Sequence, residues 1–544
     1  MELLEWLDSN REENKTKLTE KKYFDVFFVG AICLLSLIFG VIYVLMSQTI
    51  YFWDNSTYWD IGRMLAEKPI NPGFFAQIYE SVGTSDYNYL AAVIPALWMK
   101  IFGITRVSYI ACIITVYLIP VQFLTYFLAR RISKAPRFAF LICVMMIPAV
   151  LYITTIGFID VGGVLIGLAC YYTYFKNSED MKYRDAVLLG VFLTLIMVFR
   201  RYFAYFSVSF ITAMFIDCIL FKKNPKYLAV TVITAGLTLA VVFYPFLKNI
   251  LLKDYGTLYS SYKYGIMTDF KLITRYFGIL FIVTAFSAVP LSIIKRHDIR
   301  PVFISVQIAV CAAMFMTTQT HGQQHLLLYI PGFIALIMLL INCISNRYML
   351  AAVCAVAAAT FISPLIPREQ PNSIQQIKTV SVTPTYSVKP EKRSDVIEIA
   401  TLKRKLDKFI PEGETCGVLA SSFELNSSIL NNVIPSMNKR EIRQDTYIVG
   451  LPEVDSRDYW RLNEIYNSPY ILVAVPAQTH LAQSEQTIIC EAVESFINNT
   501  DVAAAFSELE DFRQDIDGIE CRLYKRNQEV TKTAITEFEL RLYK

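Results

Sequence analysis

Apolar runs of about the length that crosses a bilayer recur along this chain and leave it few folds to choose from. A spanning helix needs about 20 mainly apolar residues, and within lipid only helices or closed barrels satisfy their own backbone polar groups. Such runs cover roughly 24–46, 105–129, 138–157, 160–176, 185–199, 203–221, 227–247, 276–294, 301–319, 324–343 and 347–366. With 54% hydrophobic and 18% charged residues, the chain is predicted to be a polytopic α-helical membrane bundle rather than a soluble enzyme. A net charge of +4 over 544 residues gives no reason to expect a nucleic-acid partner; the expected surroundings are a lipid bilayer.

One further run, 89–102, is too short to cross comfortably, and the basic loops decide its placement. If it stays on one side, Arg130-Arg131-Ile132-Ser133-Lys134, Lys222-Lys223 and Lys295-Arg296 all face the cytoplasm, as the positive-inside rule requires. We therefore expect eleven spans in the cell membrane, with 89–102 as a juxtamembrane or re-entrant helix, the N-terminus inside and the C-terminus outside. The N-terminal segment 1–23 is polar and mixed in charge, unlike a cleavable signal, and Lys15, Lys17, Lys21 and Lys22 suit a cytoplasmic start. On this topology the outer side holds loop 47–104, Asp160, Arg200, Arg201, loop 248–275, His321 and His325. Charge at a helix mouth is costly unless it faces water or a partner, so their convergence points to a site.

After Pro367 the composition changes. Residues 367–393 are expected to form a linker or extended arm. Residues 394–544 are expected to form an extracytoplasmic α/β domain, with helices at 395–409 and 482–497 and strands at 415–421, 470–475 and 518–524. Eight of the eleven cysteines lie in apolar runs, and Cys416, Cys490 and Cys521 lack framework spacing. The absence of a Walker loop from the sequence argues against an ATP-driven pump.

The acidic, aromatic segment Trp53-Asp54-Asn55-Ser56-Thr57-Tyr58-Trp59-Asp60 follows the first span. Asp86-Tyr87-Asn88-Tyr89-Leu90 leads to Ile101-Phe102-Gly103, and His325 precedes Leu326-Leu327-Leu328-Tyr329-Ile330-Pro331. In order and sidedness these three segments resemble the motifs of the GT-C superfamily of membrane glycosyltransferases, in the protein O-mannosyltransferase and lipid A aminoarabinose transferase branch. The layout matches over about 24–366. Asn55 stands where the family usually has Glu, and the Asp86 segment lacks the family's prolines.

The resemblance implies sugar transfer from a polyprenyl-phosphate donor, undecaprenyl phosphate in a bacterial setting, to a glycan, lipid or protein acceptor on the outer face. Asp54 is then the general base, its plainer reading being a helix N-cap. Asp86 is a second carboxylate, or simply a turn residue. Arg200, Arg201, His321 and His325 are candidates for the donor phosphate, against interfacial snorkelling and polar capping. Tyr58, Asn88 and Lys263 are candidate substrate contacts, and loop residues Lys253, Tyr255, Tyr259 and Tyr264 are candidate clamps. Asp160 is read as a helix cap in preference to a partner for a site arginine, and Asp60 as structural. No cofactor is read from the sequence, and a divalent metal stays open. Two other classes remain. One is a transporter or flippase for a lipid-linked glycan, for which repeat symmetry is not evident; the other is a non-catalytic scaffold.

Overall fold

A computed structural model describes residues 18–133, 138–175, 181–368, 376–437 and 446–542. Most of the predicted N-terminal segment, with Lys15 and Lys17, lies outside these residues, as do Lys134 and linker positions 369–375. Each of the eleven apolar runs is helical. Among the described residues eight helices are long and apolar enough to cross a membrane. Ala139–Thr155, Val161–Phe175 and Tyr183–Phe199 are shorter, at 15 to 17 residues. Helix starts follow local chemistry: the side chains of Asn71, Thr105, Asn224 and Asn346 each accept a first-turn N–H, and proline follows two of these asparagines, where its missing N–H is harmless.

The bundle has two distinct ends. At one, Ser133 and Ile132 bond the side chain of Asn342, while Lys295 and Arg296 donate to the carbonyls of Cys343 and Asn342. Two expected cytoplasmic loops thus meet around Asn342. At the other end, Arg106 donates to Ser47 Oγ at 2.7 Å and Thr49 O at 2.9 Å, and Asn88 donates to Val198 O at 2.7 Å. Those contacts place both ends of the 89–102 segment on one face. It is a short turn followed by the Val93–Phe102 helix, lying beside Asp54–Glu67 through Lys100, which donates to Ala66 O and Lys68 O.

Two expectations need correction. Segment 248–275 is not one open loop: it holds short turns and the amphipathic Ile266–Phe277 helix. The span predicted over 276–294 runs instead from Ile279 to Arg296, because the chain turns sharply at Gly278. That residue has φ 78°, and a Cβ there would lie 2.8 Å from Val382 O; only glycine permits both.

Val382 belongs to an extended strap, residues 376–393. It is fastened to Ile279, Leu280, Arg275, Pro364 and Gln48 by backbone hydrogen bonds, and its Tyr386 is buried against Tyr276 and Tyr152. Beyond it stands a three-layer α/β domain with strands β1 (Thr415–Leu419), β2 (Tyr447–Gly450), β3 (Tyr470–Val475), β4 (Phe506–Glu508), β5 (Gln514–Ile516) and β6 (Ile519–Arg526). The sheet order is β2-β1-β3-β6-β4, with β5 also on β6; β1 is parallel to β2 and β3, and β6 runs antiparallel to β3. Strand β3 is apolar throughout because both faces are covered. Leu472 and Ala474 meet the Val396–Phe409 and Ser427–Ser436 helices, while Ile471 and Val473 meet Thr487–Asn498 and Lys532–Leu542. The helix expected over 482–497 begins five residues later than its first position, at Thr487. Ile50 of the bundle's loop is buried in the domain's core, seating the domain on that face.

Candidate active site

Asp54 is the first residue of the Asp54–Glu67 helix, following Trp53, whose backbone is left-handed at φ 46°. Its half-buried carboxylate does not cap the helix. Tyr87 Oη donates to Oδ1, and Gln324 Nε2 donates to Oδ2 at 3.2 Å. The entry to this helix is pressed against the corner at Gly157. There φ is 111°, and a Cβ would stand 2.6 Å from Asn55 O. Tyr51 and Tyr109 close the corner by donating to Thr155 O and Gly157 O.

Beside Tyr87 lies a cationic patch. Arg201 donates to Asp86 Oδ1 at 2.6 Å and to Tyr259 Oη at 2.7 Å, Lys253 also bonds Asp86, and the Tyr255 ring lies 4.7 Å from the Arg201 guanidinium carbon. Burial pushes the Asp86 carboxyl up, but Arg201 and Lys253 outweigh it and hold it below the usual carboxylate range. Two cations share one carboxylate that is still 38% exposed, so the patch keeps one net positive charge and remains open to an anion.

Several predicted ligands are committed elsewhere. Arg200 is buried, donating to Asp160 Oδ1 at 2.8 Å, with the rings of Tyr58, Tyr87 and Tyr202 around its guanidinium. The Asp160 carboxylate therefore holds an arginine, not the following helix as its favoured reading had it. Tyr58 is buried on Arg200 and presents nothing to a substrate. Asn88 uses both ends of its amide, donating to Val198 O and accepting from Leu90 N–H. His321 is fully buried: Nδ1 meets Asp269 and Nε2 meets Tyr329, each at 2.5 Å, so neither ring nitrogen is left for a phosphate. His325 accepts from Gly322 N–H and packs on Tyr202 and Phe315. His321 precedes the short 3-10 helix Gln323–Tyr329 and His325 lies within it, so the two do not share an α-helical face. Lys263 is exposed and donates to Thr317 O. Among the described residues, no three His, Cys, Asp or Glu side chains come together to hold a metal.

No family model matches the chain, and no curated protein sequence does. Solved structures do match. The crystal structure of ArnT from Cupriavidus metallidurans bound to undecaprenyl phosphate superposes with a TM-score of 0.57, over 92% of this chain and 97% of that one, at 9% identity. The same protein in its apo state gives 0.58, over 93% and 98%, also at 9% identity. The fold is ArnT-like. The GT-C resemblance read from three short motifs thus holds for the architecture, a membrane bundle carrying a C-terminal α/β domain.

The α/β domain of this ArnT-like chain reaches the candidate site. His480 packs on Trp53 at a tilt, with ring centres 4.4 Å apart, and Phe423 meets the same indole edge-on at 5.2 Å. Asn432 binds three residues of the Asp54–Glu67 helix. Tyr87 lies inside the Asp86 motif and Gln324 immediately before the His325 one, but neither residue type signals a site role by itself. His480 and Asn432 had no sequence signal, since only the folded domain brings them to Asp54.

Proposed function

We propose that this protein is an integral-membrane glycosyltransferase that moves a sugar from a polyprenyl-phosphate donor to an acceptor hydroxyl. The observation that carries this reading is the half-buried Asp54 carboxylate lying one residue's reach from the Arg201–Lys253 patch, through Tyr87, in an ArnT-like fold. That one of the ArnT structures holds undecaprenyl phosphate supports the choice of donor. In the proposed step Asp54 takes the acceptor's proton as its oxygen attacks C1 of the sugar. The bond from C1 to the phosphate oxygen breaks, and its electron pair leaves with the polyprenyl phosphate, inverting C1. Charge on that phosphate grows from one to two units, which Arg201 and Lys253 offset; Asp86 is their counter-ion rather than a second catalytic group. The site end of the bundle and the C-terminal domain face outward, where a cell-surface glycan, lipid or protein supplies the hydroxyl.

Vesicles carrying the full chain, given radiolabelled undecaprenyl-phosphate sugars and an envelope extract as acceptor, test the proposal. Wild type transfers label and a folded Asp54→Asn variant does not. Equal transfer by both removes Asp54 as the base. Failure of wild type across donor and acceptor panels removes the transferase reading itself.

A further inference from the structure

The Asn432 side chain is fully buried, and all its polar contacts beyond its own helix go to the helix that begins with Asp54. Its Oδ1 accepts from Trp59 Nε1 at 3.1 Å and from Arg63 at 3.4 Å, while its Nδ2 donates to Asp60 Oδ2 at 3.1 Å. One amide of the C-terminal domain thus engages positions five, six and nine beyond Asp54. These three residues lie within a 100° arc on one face of the helix, so the amide ties that face to the domain and fixes the helix's rotation as well as its height. A second contact from the same domain, His480 on Trp53, lies one residue before Asp54. Ser421 Oγ lies 2.9 Å from His480 Nδ1 and steadies that ring. Trp53 sits in a left-handed conformation that a tryptophan adopts only when its surroundings impose it. The candidate base is therefore held from both sides by a domain whose chain begins more than 300 residues later.

We infer that Asn432 is a positioning residue for the transfer reaction: through Trp59, Asp60 and Arg63 the C-terminal domain sets the placement of Asp54. The domain is then part of the active site and not only an acceptor-binding appendage. This inference rests on Asp54 being the base. It requires Asn432 to act on the chemical step while leaving donor binding alone, because the Arg201–Lys253 patch belongs to other elements. Loss of the amide frees the helix to turn or shift. A misplacement of about 1 Å at a reacting group lowers rate on the order of a hundred-fold.

The test measures kcat, donor KM and thermal midpoint in vesicles for wild type, Asn432→Ala, Asn432→Asp, Asp60→Asn, the Asn432→Asp/Asp60→Asn pair, and Asp54→Asn. In Asn432→Ala we expect kcat to fall roughly ten- to a hundred-fold with donor KM within about two-fold of wild type. Asn432→Asp sets two carboxylates against each other and falls similarly. Exchanging both residues restores one donor and one acceptor at that contact, still leaves an acceptor for Trp59 and Arg63, and returns kcat toward wild type. A merely structural role predicts instead that the single variants lower the thermal midpoint while kcat per folded protein stays at the wild-type value. The inference is overturned if folded Asn432→Ala keeps wild-type kcat while Asp54→Asn is dead, or if the exchanged pair transfers no better than Asn432→Asp alone. Should Asn432→Ala fail to fold, the exchange comparison decides. Wild-type transfer by Asp54→Asn instead removes the base, and the inference falls with it.

Discussion

Replacing Gly157 with alanine probes how finely the Asp54 helix is placed. The added Cβ would stand 2.6 Å from the carbonyl oxygen of Asn55, the residue after the candidate base. Carbon and oxygen in van der Waals contact stay about 3.3 Å apart, so either the corner or the helix entry must give by roughly 0.7 Å. The corner is held by Tyr51 and Tyr109, and the helix entry is left to move. Productive geometry tolerates displacements of only about 0.5 Å, and 1 Å costs on the order of a hundred-fold. We therefore expect Gly157→Ala to transfer sugar about 10- to 100-fold more slowly at saturating donor. The backbone at φ 111° adds strain of about 1–3 kcal/mol, so some stability is lost as well. Gly103 separates the two effects. It has φ 95° with nothing within 4 Å of its Cβ position, so Gly103→Ala carries the strain without the push. The assay is the initial transfer rate in vesicles, corrected for folded protein. Gly157→Ala at the wild-type rate, or Gly103→Ala slowed as much, refutes the reasoning.

Other expectations follow from the same geometry. Asp86→Asn removes the anion that competes for Arg201 and Lys253, so undecaprenyl phosphate should bind about 3- to 10-fold more tightly, a modest gain because the ion pairs are partly exposed; titration into nanodiscs, with undecaprenol as the uncharged control, reads it. Because those cations lower the Asp86 pKa, the stability they confer is complete above its unfolded pKa of about 3.9 and is lost as pH falls through the depressed folded value. The melting difference between wild type and Asp86→Asn should accordingly be flat above about pH 4 and shrink below it. Arg200→Met strands the buried Asp160 and should destabilise by about 3–5 kcal/mol, with much of this recovered in Arg200→Met/Asp160→Leu. Reversible unfolding in mild detergent measures both.

What was legible in the sequence follows the reach of each physical cause. Apolar runs report a solvent, so the helical runs of the bundle are visible in the sequence, and the 89–102 run is legible as too short to cross comfortably. The buried strand β3 announced itself by six consecutive apolar residues. Glycine turns set by distant packing were not visible: nothing near Gly278 in the sequence shows that Val382 will lie against it. The site divided in the same way. Asp54 and Asp86 stood out through the motif resemblance, and Arg201 because charge at a helix mouth is costly unless it meets water or a partner. Whether a charged or polar group is free depends on its partners, and those of Arg200 and His321 lie 40 and 52 residues away. Their burial could be learned only from the fold.

The strap has a practical consequence for taking the protein apart. It ties the end of the first span at Gln48, the turn at Gly278 and the last span at Pro364, and it fills a seam beside Tyr152 and Tyr276. A cut at the change of composition after Pro367 would strip that seam bare and leave greasy rings facing water. A cut near residue 394 keeps the seam closed and isolates the α/β domain, so the place to sever the polypeptide lies beyond its most linker-like stretch.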